Sequence, residues 1–239
     1  MIFHHSLRAY APWWHYAVNE QELIGLTPVI GMNFAIMVNA LFFLAGYFTP
    51  KSYNRGTKNY FVSRLKRIGA PFIFFSCLIT IIKYFEHISL RPYGYIGFFK
   101  YFFHYYLGFG AKPLDWHENG WPDITYAHFW FLEYLLVFSI GYILIQGIRD
   151  SLKRKTSPNS TLYDDTESSI PSILQIWSFI LIVAFATFMI RFWFPAGVWI
   201  VVLLFVVIEP AHIIQNVAFF IIGTIAVKKQ WPNLISKND

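Results

Sequence analysis

The sequence is poor in charged residues. Only 13% of its 239 residues are Asp, Glu, Lys or Arg, whereas 56% are hydrophobic and 21% are aromatic. An ordinary soluble domain carries about 25% charged residues, so this chain has too few to cover a water-exposed surface. The composition therefore excludes a typical soluble domain and indicates a membrane protein.

Cysteine and the common catalytic motifs are also scarce. The single cysteine, Cys77, lies within an apolar run, so one chain can form neither a disulfide framework nor a thiolate metal cluster. The histidines lack the spacing of a helical metal site, and the sequence contains no P-loop, dinucleotide fingerprint or Gly-x-Ser-x-Gly elbow. We therefore expect no metal, no permanently bound cofactor and no soluble nucleotide or serine-hydrolase chemistry.

The charge that is present is mostly positive. The formal net charge is +6, and residues 51 to 67 carry six Lys or Arg with no acidic residue. Because the cytoplasmic loops of membrane proteins are rich in Lys and Arg, this cluster predicts that residues 51 to 67 are cytoplasmic. The cations thus have a topological explanation, which argues against nucleic acid as a partner.

Long apolar runs fill most of the chain. Four of them approach the roughly 20 residues that a helix needs to cross a hydrocarbon core, namely 28 to 48, 69 to 85, 128 to 147 and 173 to 194. The region from 195 to 227 holds one further span, or two if 197 to 208 also crosses, and we favour one. The runs predict an all-α, polytopic transmembrane helical bundle of five to six spans, with a polar cytoplasmic loop near 148 to 172.

Two arginines stand at the start of the second run. Arg64 and Arg67 are three residues apart and would share one face of a helix, while Lys66 would point elsewhere. A guanidinium is a planar fork that suits phosphate, so the pair is a candidate site for a polyphosphate at the cytoplasmic mouth of the bundle. The alternative is that these cations only anchor the span and set its topology.

Two histidines and one acidic residue are further candidates. His4 and His5 are possible general bases because imidazole titrates near neutral pH, although interfacial polar residues are the alternative. Glu133 follows Trp130 in the run HFWFLEYLLVF. A carboxylate within a span is costly, so the two residues are candidates for a pore or a substrate site, with interface anchoring of Glu133 as the alternative.

Between the second and third runs lies an aromatic stretch, GYIGFFKYFFHYYLGFG, at residues 94 to 110. Aromatic rings with one apolar and one wet side favour the membrane interface. The stretch therefore predicts a helix that lies on the outer leaflet, with a substrate platform as the alternative.

Taken in order, several segments resemble the acyltransferase 3 family of integral membrane acyltransferases. They are IFHHSLRAY, NALFFLAGYFTPKSYNRGTKNYFVSRLKRIGAPF, HFWFLEYLLVFSIGY, FMIRFWFPAG and AFFIIGTIAVKKQW. The resemblance implies a multi-pass enzyme of the plasma membrane that moves an acyl group, commonly acetyl, from cytoplasmic acyl-CoA to a hydroxyl. The implied co-substrate is acyl-CoA, and the implied partners are the lipid bilayer and a carbohydrate or glycolipid acceptor.

The resemblance also implies roles for individual residues. The family's Arg-x-x-Arg motif, associated with acyl-CoA, matches Arg64 and Arg67. Its catalytic histidine matches the pair of His4 and His5, with His5 favoured. The rival hypothesis is a non-catalytic or degenerate membrane protein of the same ancestry, for example a transport or assembly component.

Relative to the family, we expect the chain to be truncated at both ends. Only four residues precede His5, whereas the family has a first span before this histidine, with an arginine in it. The chain also ends near the point where the sixth span would finish. Residues 1 to 239 are therefore expected to form a single, partial membrane acyltransferase domain, with a degenerate relative as the alternative.

Overall fold

A computed structural model describes residues 25, 27–90, 95–113, 121–156, 169–202 and 205–231. Within these residues, five helices are long and apolar enough to cross a membrane. They are Pro28–Tyr53, Thr57–Ser89, Ala127–Leu152, Ile173–Trp193 and Pro210–Lys228. The prediction of an all-α polytopic protein with five to six spans is confirmed.

Within its described residues, the first half of the chain forms two long helical stretches and a short aromatic one. These are helix α1 (Thr27–Tyr53), helix α2 (Thr57–Arg64), a π-helical turn (Leu65–Gly69), helix α3 (Ala70–Leu90), helix α4 (Phe98–Lys100) and a second π-helical turn (Tyr101–Tyr106).

The second half contains three long helices and one small sheet. After a 3₁₀ turn (Ala127–Phe129) come helix α5 (Trp130–Thr156), helix α6 (Ile173–Trp193), strand β1 (Ile200–Val202), strand β2 (Val206–Ile208) and helix α7 (Pro210–Lys228).

The basic region 51 to 67 is helical over most of its length. Helix α1 ends at Tyr53, and α2 begins only four residues later, at Thr57. Gly56 adopts φ 102°, a conformation that residues with a Cβ rarely adopt, and its N–H donates to the carbonyl of Tyr53 at 2.9 Å. The expected linker is therefore a tight turn between two helices, and the span that follows begins inside the basic cluster.

Helix α5 also extends beyond its apolar run. It continues to Thr156 and so occupies the first part of the polar loop that the sequence predicts near 148 to 172. Residues 157–168 of that loop lie outside the described part of the chain.

The apolar region after α6 folds as a hairpin before the last helix begins. Strands β1 and β2 pair antiparallel, with Ile200 opposite Ile208 and Val202 opposite Val206. Strands this short cannot cross a bilayer. The hairpin and the single long helix after it agree with one crossing in this region.

The chain packs as two units. One contains α1 up to Pro50 and α7 from Gln215, and the other contains residues from Lys51 through α5 and from Pro171 to Ile214.

In the second unit, α2 and α3 run antiparallel to α5. Ring contacts between Tyr60 and Tyr142 and between Phe75 and Phe129 fix this direction.

Helix α6 begins with a capping box and is exposed along almost its whole length. The Ser172 hydroxyl accepts a hydrogen bond from the backbone N–H of Gln175, and the Gln175 side chain accepts one from the backbone N–H of Ser172. Of the residues in α6, only Thr187 is buried. An apolar helix that the described residues leave so exposed fits a position against lipid.

Candidate functional site

Arg64 is the last residue of α2 and stands immediately before the π-helical turn. Its guanidinium carbon lies 5.2 Å from the centre of the Tyr60 ring, one helical turn earlier. A guanidinium over an aromatic face is attracted by the negative potential of the ring. Arg64 is therefore supported by a ring of its own helix.

Tyr60 itself belongs to a cluster of three tyrosines. The rings of Tyr53 and Tyr60 lie 5.7 Å apart, and each also contacts Tyr142 of α5, at 5.4 and 6.5 Å. Tyr60 is buried, and its hydroxyl has no hydrogen-bond partner among the described residues. The cluster joins the turn before α2 to α5 and gives Arg64 a fixed, partly apolar support.

The two predicted phosphate-binding arginines differ in their environment. Arg64 is half-buried, whereas Arg67 and Lys66 are both exposed. Because a π-helix has more residues per turn than an α-helix, the turn at Leu65–Gly69 rotates Arg67 further from Arg64 than normal helical spacing would. The motif thus provides one guanidinium supported by an aromatic ring, that of Arg64, and one exposed guanidinium, that of Arg67.

Glu133 lies in the first turn of α5 and is buried, at 4% exposure. Its Oε1 accepts a hydrogen bond of 2.6 Å from the backbone N–H of Val207 in strand β2. Its Oε2 is buried and has no hydrogen-bond partner within the described part of the chain. This carboxylate is therefore inside the protein rather than at its surface, and one of its oxygens holds the hairpin.

Tyr134 and Glu209 close the base of the same hairpin. The hydroxyl of Tyr134 accepts a 2.9 Å hydrogen bond from the backbone N–H of Glu209. The Glu209 side chain accepts a 2.7 Å hydrogen bond from the backbone N–H of Gly197, on the other side of the hairpin. A backbone N–H without an acceptor is costly away from water, and these two side chains supply acceptors at the base of the hairpin.

A third side chain reaches the tip of the hairpin. The Tyr126 hydroxyl, just before α5, donates a 2.6 Å hydrogen bond to the carbonyl of Phe205. Burial, and then the nearby Glu133 charge, raise the pKa of Tyr126 far above its usual value, so its hydroxyl keeps the proton that it donates. Residues 126 to 134 therefore hold the hairpin at its tip, its second strand and its base.

Trp130 lies on the same turn as Glu133 and is half-buried. Its ring contacts Tyr134 at 5.3 Å and Trp199, which precedes β1, at 6.1 Å. The structure thus places both Trp130 and Glu133 beside the hairpin. Their role in a pore or in substrate binding stays a prediction.

His4 and His5 lie outside the described residues. The structure therefore describes two of the predicted groups, the arginines at the end of α2 and the Trp130 and Glu133 pair at the start of α5. It adds residues that sequence analysis did not single out, above all Tyr60 and Tyr134. A sequence signal existed for Tyr60, because it lies four residues before Arg64, which is the spacing of helical neighbours.

Comparison with known proteins gives a match to a family model. A family model described as an acyltransferase domain, that of acyltransferase 3, matches residues 1–237. No curated protein and no solved structure matches the chain significantly. The match extends over essentially the whole sequence and includes both groups of candidate residues.

Proposed function

Because the chain belongs to the acyltransferase 3 family, we propose that it transfers an acetyl group from acyl-CoA to a hydroxyl of a carbohydrate-like acceptor. A membrane acyltransferase follows from the family. The acyl-CoA donor, the acetyl group and the acceptor are the parts that we propose. The family match over residues 1–237 is the observation that carries the proposal.

Arg64 and Arg67 are the proposed binding residues for the phosphates of acyl-CoA. Arg64 is supported by the Tyr60 ring at 5.2 Å, so it needs little ordering when a ligand arrives. A guanidinium has five N–H donors, and stacking of its face on a ring is compatible with phosphate binding at its edge. The exposed Arg67 would contact the phosphates of the donor from a different side than Arg64.

His5 is the proposed general base, and His4 is the alternative. The base would take the proton of the acceptor hydroxyl while the hydroxyl oxygen bonds to the thioester carbon. The carbon–sulfur bond then breaks, and coenzyme A leaves as a thiolate that takes up a proton. Binding donor and acceptor together supplies the proximity that this transfer needs.

We place the protein in the plasma membrane, with residues 51 to 67 on the cytoplasmic side. The support is the six cations of this segment, which carries no acidic residue. This orientation puts the arginines where acyl-CoA is available. The bilayer, acyl-CoA and the acceptor are then the partners of the protein.

Donor binding by the purified full chain in detergent tests the proposal. A charge-assisted hydrogen bond contributes about 1.5 to 3 kcal/mol, so Arg64→Ala should weaken acetyl-CoA binding about tenfold to a hundredfold. The variant with both Arg64→Lys and Arg67→Lys should also bind poorly. It keeps the positive charge but loses the planar two-pronged contact.

Lys66→Ala is the matched control, because Lys66 is an exposed cation of the same turn with no proposed contact to the donor. It should bind acetyl-CoA like the parent. If the double lysine variant inserts into membranes and binds acetyl-CoA as tightly as the parent, the cations only anchor the span. Absence of acetyl-CoA binding by the parent chain would instead favour a non-catalytic transport or assembly component.

A further inference from the structure

The aromatic segment, residues 95–109, is fixed to the protein on one side. The hydroxyl of Tyr101 donates to Asp123 Oδ2 at 2.9 Å, and the hydroxyl of Tyr106 donates to the carbonyl of Thr125 at 3.0 Å. Both tyrosines are almost fully buried. A π-helical turn bonds residues five apart, so Tyr101 and Tyr106 share a face and both reach residues 123 to 125.

The opposite side of the segment is exposed and aromatic. Tyr95, Phe99 and Phe103 recur every four residues and are 83%, 75% and 49% exposed. Their sequence neighbours Phe98 and Phe102 instead pack inward against the buried cluster around Tyr101. The aromatic residues are thus sorted into buried and exposed ones, and the exposed ones lie on a surface that the described protein does not cover.

The segment lies alongside the C-terminal half of α3. The hydroxyl of Tyr84 donates to the carbonyl of Ile96 at 2.9 Å, and the Tyr84 ring contacts Phe98 at 5.3 Å. The ring of His87, one turn further along α3, contacts Tyr101 at 5.0 Å. The aromatic segment is therefore level with the last turns of a candidate membrane span.

Beside the aromatic segment, the C-terminal half of α3 has exposed apolar side chains. Ile81, Ile82 and Phe85 are all exposed, and they belong to the apolar span Thr57–Ser89. In a protein that crosses the membrane, such residues contact lipid. The exposed aromatic side chains lie beside this apolar surface of α3. We therefore expect lipid, rather than water, next to both surfaces.

We propose that the aromatic segment is embedded in the bilayer interface, in the leaflet that surrounds the C-terminal half of α3. Phe99 and Phe103 contact the upper acyl chains, and Tyr95 lies at headgroup level, where rings with a polar group are favoured. Lys100 is exposed on the same short helix and is long enough to reach a lipid phosphate. The occupant of this face is therefore phospholipid.

Site-specific depth measurement tests the embedding. The chain has one cysteine, so Cys77→Ala gives a background into which Phe99→Cys or Phe103→Cys can be introduced and labelled with an environment-sensitive fluorophore. In phosphatidylcholine and phosphatidylglycerol vesicles, both labels should emit at shorter wavelength than in water. Nitroxides attached near the top of the lipid acyl chains should quench them several-fold more strongly than aqueous iodide does.

Lys112→Cys is the matched control, since Lys112 is exposed in the same connection but follows the aromatic segment. Its label should show the reverse preference and be quenched by iodide. Iodide quenching at position 103 equal to that at position 112 would overturn the proposal and favour a water-facing substrate platform. Protection from both quenchers would overturn it in favour of a protein partner, including a second copy of the chain.

A second measurement uses the unaltered chain, without an attached label. A lipid-soluble diazirine that forms a carbene inside the bilayer should modify peptides from 95–109 of the unaltered chain about as strongly as peptides from α6. The exposed helix α6 is the internal standard, because its apolar side chains are uncovered in the described structure. Modification of α6 without modification of the aromatic segment would rule out contact with lipid.

Discussion

Helices α1 and α7 contact each other through backbone atoms at glycines. In contrast, side-chain hydrogen bonds hold the aromatic segment beside α3 and the hairpin beside α5. A Cβ on Gly46 of α1 would overlap the backbone carbonyl of Phe220. A Cβ on Gly223 of α7 would overlap that of Phe43. Each glycine thus faces the main chain of the other helix, and the two helices approach as closely as their backbones allow.

The second unit shows the opposite arrangement. Tyr101 bonds to the carboxylate of Asp123, and Glu133 accepts a hydrogen bond from the backbone of Val207. Here the pieces that meet are a stretch without regular structure at residues 123 to 126 and a two-stranded hairpin, rather than two complete helices.

The difference follows from whether the backbone N–H and C=O groups of each segment have hydrogen-bond partners within that segment. A helix satisfies its own N–H and C=O groups, and lipid gives no hydrophobic drive for helices to associate, so close approach at small residues must hold them together. An irregular segment carries unsatisfied groups that would be costly away from water. It therefore needs acceptors and donors from side chains. Substitutions that remove these side chains should destabilise it, whereas the contact between two helices should be destabilised by larger side chains.

Removal of Asp123 should have the largest effect. Asp123→Leu leaves the buried Tyr101 hydroxyl without its acceptor and takes away one of the two carboxylates near Lys83. Loss of one partner of a buried ion pair costs about 3 to 5 kcal/mol, and we expect about 3 because Glu86 still lies 3.0 Å from Lys83. Chemical unfolding of the detergent-solubilised chain measures this loss.

Glu86→Leu is the control for that experiment. The Glu86 side chain is 42% exposed, and exposed ion pairs contribute at most about 1 kcal/mol. Asp123→Asn should lie between the two, because an amide oxygen still accepts from Tyr101. Equal losses for Glu86→Leu and Asp123→Leu would show that the buried carboxylate is not what holds the segment.

Added bulk at the crossing of α1 and α7 should have the next largest effect. Gly46→Ala or Gly223→Ala forces the helices apart, and overpacking of this kind costs about 1 to 3 kcal/mol. Gly31→Ala is the matched control in α1, since a Cβ there meets nothing within 4 Å. That variant should be neutral or slightly stabilising, by up to about 1 kcal/mol, because alanine favours helix more than glycine does.

The midpoint of thermal unfolding in detergent compares the three glycine variants directly. A Gly46→Ala protein as stable as Gly31→Ala would mean that the helices can shift at no cost. The contrast between a backbone contact in one unit and polar bonding in the other would then be lost.

The spans were predictable from sequence because they depend only on the length of apolar runs. Their ends were not, since helices α1, α2 and α5 continue through polar residues such as Lys51 and Arg149, where the membrane no longer sets the pattern. The hairpin was missed for another reason. A short apolar run reads equally as a helix or a strand, and valines such as Val202 and Val207 were the one signal for a strand.

The candidate site was predictable to the extent that its residues are unusual in a membrane span. Glu133 stands out because a carboxylate is rare there, and Arg64 because it belongs to a dense basic cluster. Tyr134 and Tyr60 do not, since the chain has 15 tyrosines and most of them suit a membrane interface equally well. Local spacing encodes only the contact of Tyr60 with Arg64, whereas the contact of Tyr134 with Glu209 depends on pairing between distant segments.

Loss of the Glu133 acceptor should have the most local effect of the three changes. Glu133→Leu leaves the Val207 N–H buried without an acceptor, which costs about 1 to 3 kcal/mol, whereas Glu133→Gln keeps an oxygen in the position of Oε1. Hydrogen exchange of the peptide over residues 205 to 209 should therefore accelerate in the leucine variant and stay near the parent rate in the glutamine variant. Exchange in the middle of α7 should be unchanged in both, because that helix satisfies its own backbone. Equal exchange at 205 to 209 in parent and leucine variant would show that the hairpin does not need the Glu133 hydrogen bond, and that strand pairing with the bonds of Tyr126 and Tyr134 is sufficient to hold it.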